Sequence, residues 1–172
     1  MKTDLFSPEA EGRARILMII SAFSEQPGEI VGWAKLFRLD FLVRYPDTLI
    51  NILEKRKVSQ RRLSQLDISG DIESRMIMYR WGPWDPLHYG YAAHLYSRGM
   101  IEANREKRGM IFRATPAGSA LAGDLASHDD WEVLYQRALL ARDYLNLSAR
   151  KLTELIVDSK PSISTAKFGE EI

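Results

Sequence analysis

The stretch His94–Leu121, HLYSRGMIEANREKRGMIFRATPAGSAL, decides the fold. It opens on the end of a helical pattern closed by Gly99, a residue type suited to the left-handed position after a helix. Ile101 and Ala103 then alternate with Glu102 and Asn104, and on the return Met110, Phe112 and Ala114 alternate with Ile111 and Arg113. With Gly109 in the turn, this reads as a β-hairpin whose tip, Arg105 to Gly109, carries Arg105, Lys107 and Arg108. Thr115 and Pro116 supply a cap and a first helical residue for a short helix ending near Ala126.

Working backwards, Tyr79–Tyr91 (YRWGPWDPLHYGY) holds two of the four tryptophans. Glu73–Arg80 (ESRMIMYR) has the composition of a short strand, which Trp81-Gly82-Pro83 breaks. Asp85 is placed to cap a helix with Pro86 as its first residue, and Leu87, Tyr91, His94 and Leu95 fall near one face. The rings of Trp81, Trp84, Tyr89 and Tyr91 have three readings. They seal the corner between strand and helix, they contact a partner, since Trp and Tyr are enriched at interface hot spots, or they line a small-molecule pocket.

The N-terminal half reads as helices. In SPEAEGRARILMIISAF, Ser7 is an N-cap, Pro8 the first helical residue, and Glu9 and Glu11 complement the helix dipole. Its later half is apolar nearly all round, the pattern of a central buried helix, and Gln26-Pro27-Gly28 ends it. Val31, Leu36, Leu39 and Val43 follow helical spacing in the next segment, where Asp40 and Arg44 are placed to pair across one turn. Pro46 stops that helix and Asp47 caps another, DTLINILEK. Lys55, Arg56, Lys57, Arg61 and Arg62 form a basic patch, followed by a loop over Asp67–Asp71.

Beyond the hairpin, Asp129 or Asp130 caps a helix in which Trp131, Leu134, Ala138, Ala141 and Leu145 recur at steps of three and four. This is an amphipathic or short coiled-coil face, suited to packing or to oligomerisation. Ser148 caps one more helix, and residues 161–172 read as a flexible tail.

Composition narrows the function. The chain of 172 residues is 45% hydrophobic and 27% charged, ordinary for a globular domain. A net charge of +1 means that any nucleic-acid contact must come from local patches such as Lys55–Arg62 or the hairpin with Arg105, Lys107, Arg108 and Arg113. Cysteine is absent, which removes disulfides and thiolate metal sites. The N-terminus lacks a signal-peptide pattern and the longest apolar run, Ile16–Ile20, is too short to span a bilayer, so a cytoplasmic protein without membrane contact is expected. No phosphate-binding, dinucleotide or nucleophile-elbow motif occurs. His88 and His94 lie six apart on separated helix faces, and His128-Asp129-Asp130 lacks upstream histidines to complete a metal site. No catalytic residue, metal or cofactor is expected.

The order of helices, capped helix, basic-tipped hairpin and Thr-Pro-x-Gly step resembles the second half of winged-helix domains. That resemblance implies an α+β, mainly α fold: a winged helix-turn-helix core over residues 1–126, C-terminal helices over 127–160 and the tail. Asp85–Arg98 would be the recognition helix and Arg105–Gly109 the wing tip. The helix would offer His88, Tyr89, Ala92, Ser97 and Arg98, a set nearly without the Arg, Lys, Asn and Gln that read base edges.

KLFRLDFLVRYP, ESRMIMYRWGPWD, LYSRGMIE and TPAG further resemble small winged-helix middle components of bacterial ABC three-component and Lamassu-type defence operons. This implies a non-catalytic adaptor beside an SMC/Rad50-like ATPase and a nuclease-type effector, with Trp81, Trp84, Tyr89, Trp131, Leu134 and Leu145 as candidate partner contacts. The basic patches would touch the backbone of double-stranded DNA. The alternative is a winged-helix transcriptional regulator forming a homodimer through Trp131–Leu145.

Overall fold

A computed structural model of the chain describes residues 8–25, 28–66 and 84–171. The expected strand over 73–80, the loop over 67–71, Trp81, the Ser7 cap and the Gln26-Pro27 helix stop fall outside these residues. The fold is mainly helical with a small antiparallel sheet. Its elements run α1 (Pro8–Ser24), β1 (Ile30–Val31), α2 (Trp33–Arg44), α3 (Pro46–Lys55), α4 (Gln60–Leu63), α5 (His88–Ser97), β2 (Ile101–Glu106), β3 (Gly109–Ala114), α6 (Pro116–Ala126), α7 (Asp129–Leu145) and α8 (Ala149–Ser159). A 3₁₀ turn follows at Pro161–Ser164.

The all-round apolar half of α1 becomes the centre of the molecule. Ile16 to Ile20, Ala22 and Phe23 are fully buried, and α2, α5, α6, α7 and β3 all pack on this helix. Each large side chain so buried contributes about 1.5–3 kcal/mol. Leu36, Leu39, Leu42, Leu49 and Leu53 continue the core through α2 and α3, and Ala138, Ala141, Leu145, Leu152 and Ile156 complete it from α7 and α8. The C-terminal helices thus share one core with the rest of the chain.

The sheet order is β1-β3-β2. Ala103 pairs with Phe112 and Ile101 with Ala114, as the alternation predicts, while Ile30 pairs with Phe112 on the other side of β3. Ile30 and Val31 therefore form a strand where helical spacing was expected to include Val31. The two-residue strand is created by its distant partner and leaves no periodic trace of its own.

The helix-to-hairpin junction explains the Gly99 and Thr-Pro-x-Gly signals. Gly99 has φ 68°, its N–H reaches the Tyr96 carbonyl at 3.0 Å and the Met100 N–H reaches the Leu95 carbonyl at 2.9 Å, the paired bonds of a Schellman closure. The Thr115 hydroxyl accepts the Gly118 N–H at 3.0 Å to cap α6. The Met100 carbonyl in turn accepts the Thr115 N–H at 3.0 Å. A Cβ on Gly118 would lie 1.9 Å from that same Met100 oxygen, so only glycine permits the approach.

Several local expectations are corrected. Asp47 sits inside the first turn of α3, which starts at Pro46 with Tyr45 as its cap residue. Helix α7 begins at Asp129 itself with His128 as cap residue. Leu87 faces solvent, away from Tyr91 and Leu95, because it lies in the turn before α5. The tail after α8 is partly docked, since Ile163 is buried in the core.

Candidate partner and phosphate-contacting surfaces

The corner leading into α5 is built around charge. The Asp85 carboxylate accepts the Leu87 N–H at 2.8 Å, but the helix expected to begin at Pro86 begins at His88, with Leu87 as its cap residue and no side-chain cap. Trp84 is buried. The Arg38 guanidinium lies 4.4 Å from the centre of its ring, and Phe41 meets it edge-on at 5.4 Å. Of the readings of this ring, sealing the corner within the chain fits its burial and its contacts with Arg38 and Phe41.

Beneath it lies an ionic cluster that spacing rules did not reveal. Asp40 and His88 are each 1% exposed. The Arg15 Nε donates to Asp40 Oδ1 at 2.6 Å, and His88 Nε2 meets Asp40 Oδ2 at 2.6 Å. The other His88 nitrogen, Nδ1, contacts the Asp85 carbonyl. Both ring nitrogens face oxygen acceptors, an arrangement that favours the protonated imidazole. Burial alone would lower its pKa, but the Asp40 charge and hydrogen bond and the Asp85 carbonyl outweigh it and raise the value. Burial likewise works to raise the Asp40 pKa, yet Arg15 and His88 hold the carboxyl well below the usual carboxylate range.

The cluster ties α1, α2 and α5 together. It replaces the expected Asp40–Arg44 pair, as Arg44 instead approaches Asp85 at 3.8 Å. It also removes His88 from the exposed face of α5, where the recognition-helix reading had placed it. The available signal was an ionisable residue inside an apolar stripe: Asp40 among Leu36, Leu39 and Val43, and Arg15 directly before the Ile16–Ile20 run.

Helix α5 and the turn before it expose a mixed surface: Tyr89 and Tyr96 on one flank, Leu87 before the helix, and the polar His94, Ser97 and Arg98. Leu87, Tyr89 and Tyr96 are 55%, 54% and 59% exposed, while Ala92, expected outward, is buried. The Tyr89 ring rests 4.7 Å from Trp33 and 5.1 Å from Phe37, so it is half anchored and half presented. Among side chains of the base-reading type, α5 and its cap offer Arg98 alone. Such a surface suits a protein more than a base edge.

At the hairpin the four expected cations divide into two kinds. Arg108 is held by Glu29 at 3.0 and 3.2 Å, and Arg113 by Glu29 at 3.4 Å and Glu106 at 3.8 Å. These two are largely neutralised where they stand. Arg105 and Lys107 are exposed and make no ion pair with a described residue. Together with Glu106 and Arg108 they line an open recess of about 660 Å³ at the tip.

The second basic patch lies on the α3–α4 corner. Lys55, Arg56, Lys57, Arg61 and Arg62 are all exposed, and the first four make no ion pair with a described residue. Arg62 is partly committed, since it donates to the Tyr144 hydroxyl at 3.0 Å and stacks over that ring.

The α7 face is largely consumed inside the chain. Leu145, Ala138 and Ala141 are fully buried, so Leu145 is corrected from partner contact to core residue. Trp131 and Leu134 are half-buried and pack against the same core.

Among the described residues no group of histidine, aspartate and glutamate is arranged to hold a metal ion, and no helix is long and apolar enough to cross a membrane. No family model, curated protein or solved structure matches the chain.

Proposed function

We propose that the chain is a non-catalytic winged-helix adaptor subunit. It seats on a larger protein assembly, an SMC/Rad50-like ABC ATPase with a nuclease-type effector, in bacterial anti-phage or anti-plasmid defence. Its cations add contact to the DNA backbone without reading sequence. The element order supports the winged-helix reading: α1, β1, α2 and α5 stand as helix, strand, helix and recognition helix, and β2–β3 as the wing. The order β1-β3-β2 fits the same reading, with α3 and α4 as additions between the second and third helices.

The observation that carries the adaptor role is the outward face of α5. Tyr89 and Tyr96, seven residues apart, share one flank of the helix as half-exposed rings, while its exposed hydrogen-bonding side chains are limited to His94, Ser97 and the cap residue Arg98. Exposed aromatic residues on a rigid helix are the anchors that protein interfaces use. The assignment of the partner to the defence ATPase rests on the resemblance of the Lys35–Pro46, Glu73–Asp85, Leu95–Glu102 and Thr115–Gly118 segments to those middle components.

The dimeric regulator reading is weaker, because most of the α7 face it needs is already buried within one chain. Co-expression with the genes encoded beside it, followed by affinity purification, tests the adaptor reading. Retention of an ATPase and an effector supports it, and elution of the chain alone overturns it.

A further inference from the structure

We infer that the α3–α4 corner, and not the hairpin tip, is the principal phosphate-backbone contact of this chain for duplex nucleic acid. The inference deepens the proposed backbone contact by assigning it to one surface, and it stands whether or not an ATPase is the protein partner. Lys55, Arg56, Lys57 and Arg61 are exposed and make no ion pair with a described residue. Four cations within seven residues therefore keep their full charge toward solvent, in a chain whose net charge is only +1. Glu54 is the nearest carboxylate along the chain, and it accepts a hydrogen bond from Gln60 at 3.4 Å. The hairpin offers less, because Glu29 and Glu106 already occupy Arg108 and Arg113 and leave Arg105 and Lys107.

The chemistry of the corner favours nucleic acid over the other anionic partners. Its apolar residues, Leu53, Val58, Leu63 and Leu66, all point into the core. Among the described residues of the corner no apolar side chain is exposed to enter a lipid layer, as an interfacial membrane site requires. Nor do the described residues of the corner present an exposed ring to anchor an acidic protein, since Tyr144 is half-buried beneath Arg62. Between the cations the surface carries Ser59 and Gln60, and after them Ser64 and Gln65, all exposed, and hydroxyl and amide side chains are regular phosphate contacts. The contact would be sequence-independent and strongly salt-dependent.

The test compares the purified full chain with two variants on duplex DNA of scrambled sequence, across a salt series. The corner variant carries Lys55→Ala, Arg56→Ala, Lys57→Asn and Arg61→Ala. Asparagine is used at Lys57 because that residue has φ 60°, which asparagine tolerates. Arg62 is left in place because it packs on Tyr144. The hairpin variant carries Arg105→Ala and Lys107→Ala. Each phosphate contact steepens the dependence of log K on log salt by about 0.9, so losing four contacts should flatten the slope by about 3.6. The same loss should weaken binding about a hundredfold more at 50 mM than at 200 mM salt.

The hairpin variant should flatten the slope by less than two. Circular dichroism should show both variants folded, since every substituted side chain is exposed. Duplex RNA and anionic phospholipid vesicles serve as further arms. Binding to either duplex that is lost in the corner variant supports the proposal. It is overturned if the parent binds neither duplex, if the corner variant binds like the parent, if the hairpin variant loses more, or if vesicles bind more tightly than the duplexes.

Discussion

Asp40 of α2 receives His88 of α5 at 2.6 Å, and Arg15 of α1 closes on the same carboxylate at 2.6 Å. One buried anion thus fixes the entry of α5 relative to the central helix. The position of the outward face of α5, on which the adaptor reading depends, follows from this arrangement.

Removing that anion should be severe. Asp40→Ala leaves His88 buried without its carboxylate and Arg15 with only the Glu11 carboxylate at 3.5 Å, a loss of about 3–5 kcal/mol for a broken buried pair. For a chain of this size that corresponds to a fall in Tm of about 6–20 °C, read by thermal unfolding. Arg44→Ala removes a side chain that approaches the half-buried Asp85 at 3.8 Å and lies over the Tyr45 ring, and should shift Tm by no more than about 2–4 °C.

The cluster also sets a pH window. The His88 pKa is raised on folding, so its contribution is fully present below the unfolded value of about 6.5 and is lost as pH rises through the folded value. The Asp40 pKa is lowered, so its contribution is present above about 3.9 and lost as pH falls below that. Together they are strongest between about pH 4 and 6.5. Urea unfolding from pH 6 upward should show stability declining by at most about 1.4 kcal/mol per pH unit from this group. His88→Asn should remove that decline, and an unchanged slope would speak against the cationic assignment.

The Thr-Pro-x-Gly step predicts opposite outcomes at two glycines. Gly118→Ala drives a methyl against the Met100 carbonyl and should cost about 1–3 kcal/mol or more. Gly123→Ala meets nothing within 4 Å in the same helix and should stabilise by about 0.5–1 kcal/mol. Chemical denaturation of the two variants side by side checks the close approach directly.

Trp84 and the exposed face of α5 should separate folding from assembly. Trp84→Ala removes a buried ring packed by Arg38 and Phe41 and should cost about 3–5 kcal/mol in unfolding experiments. Leu87→Ser with Tyr96→Ser should change stability by less than about 0.5 kcal/mol, because both side chains already face solvent.

Much of this architecture is legible in local sequence. Thr115 and Ser148 supply side-chain caps, the hairpin alternation yields the observed pairing of Ala103 with Phe112, and the apolar run of α1 lies at the centre. What local patterns could not carry were relationships across the chain. Strand β1 exists because Ile30 finds Phe112, and Asp40 takes Arg15 and His88 in place of Arg44 four residues on. Charge counting alone likewise treated the hairpin arginines as equivalent, whereas Glu29 approaches Arg108 and Arg113 from a segment about 80 residues away.

The most direct measurement is affinity purification of the chain co-expressed with its neighbouring genes, in parent and Leu87→Ser/Tyr96→Ser forms. The account predicts that an SMC/Rad50-like ATPase and an effector are retained by the parent and lost from the folded double variant. Elution of the parent alone, or as a homodimer with sequence-specific affinity for palindromic DNA, would contradict it.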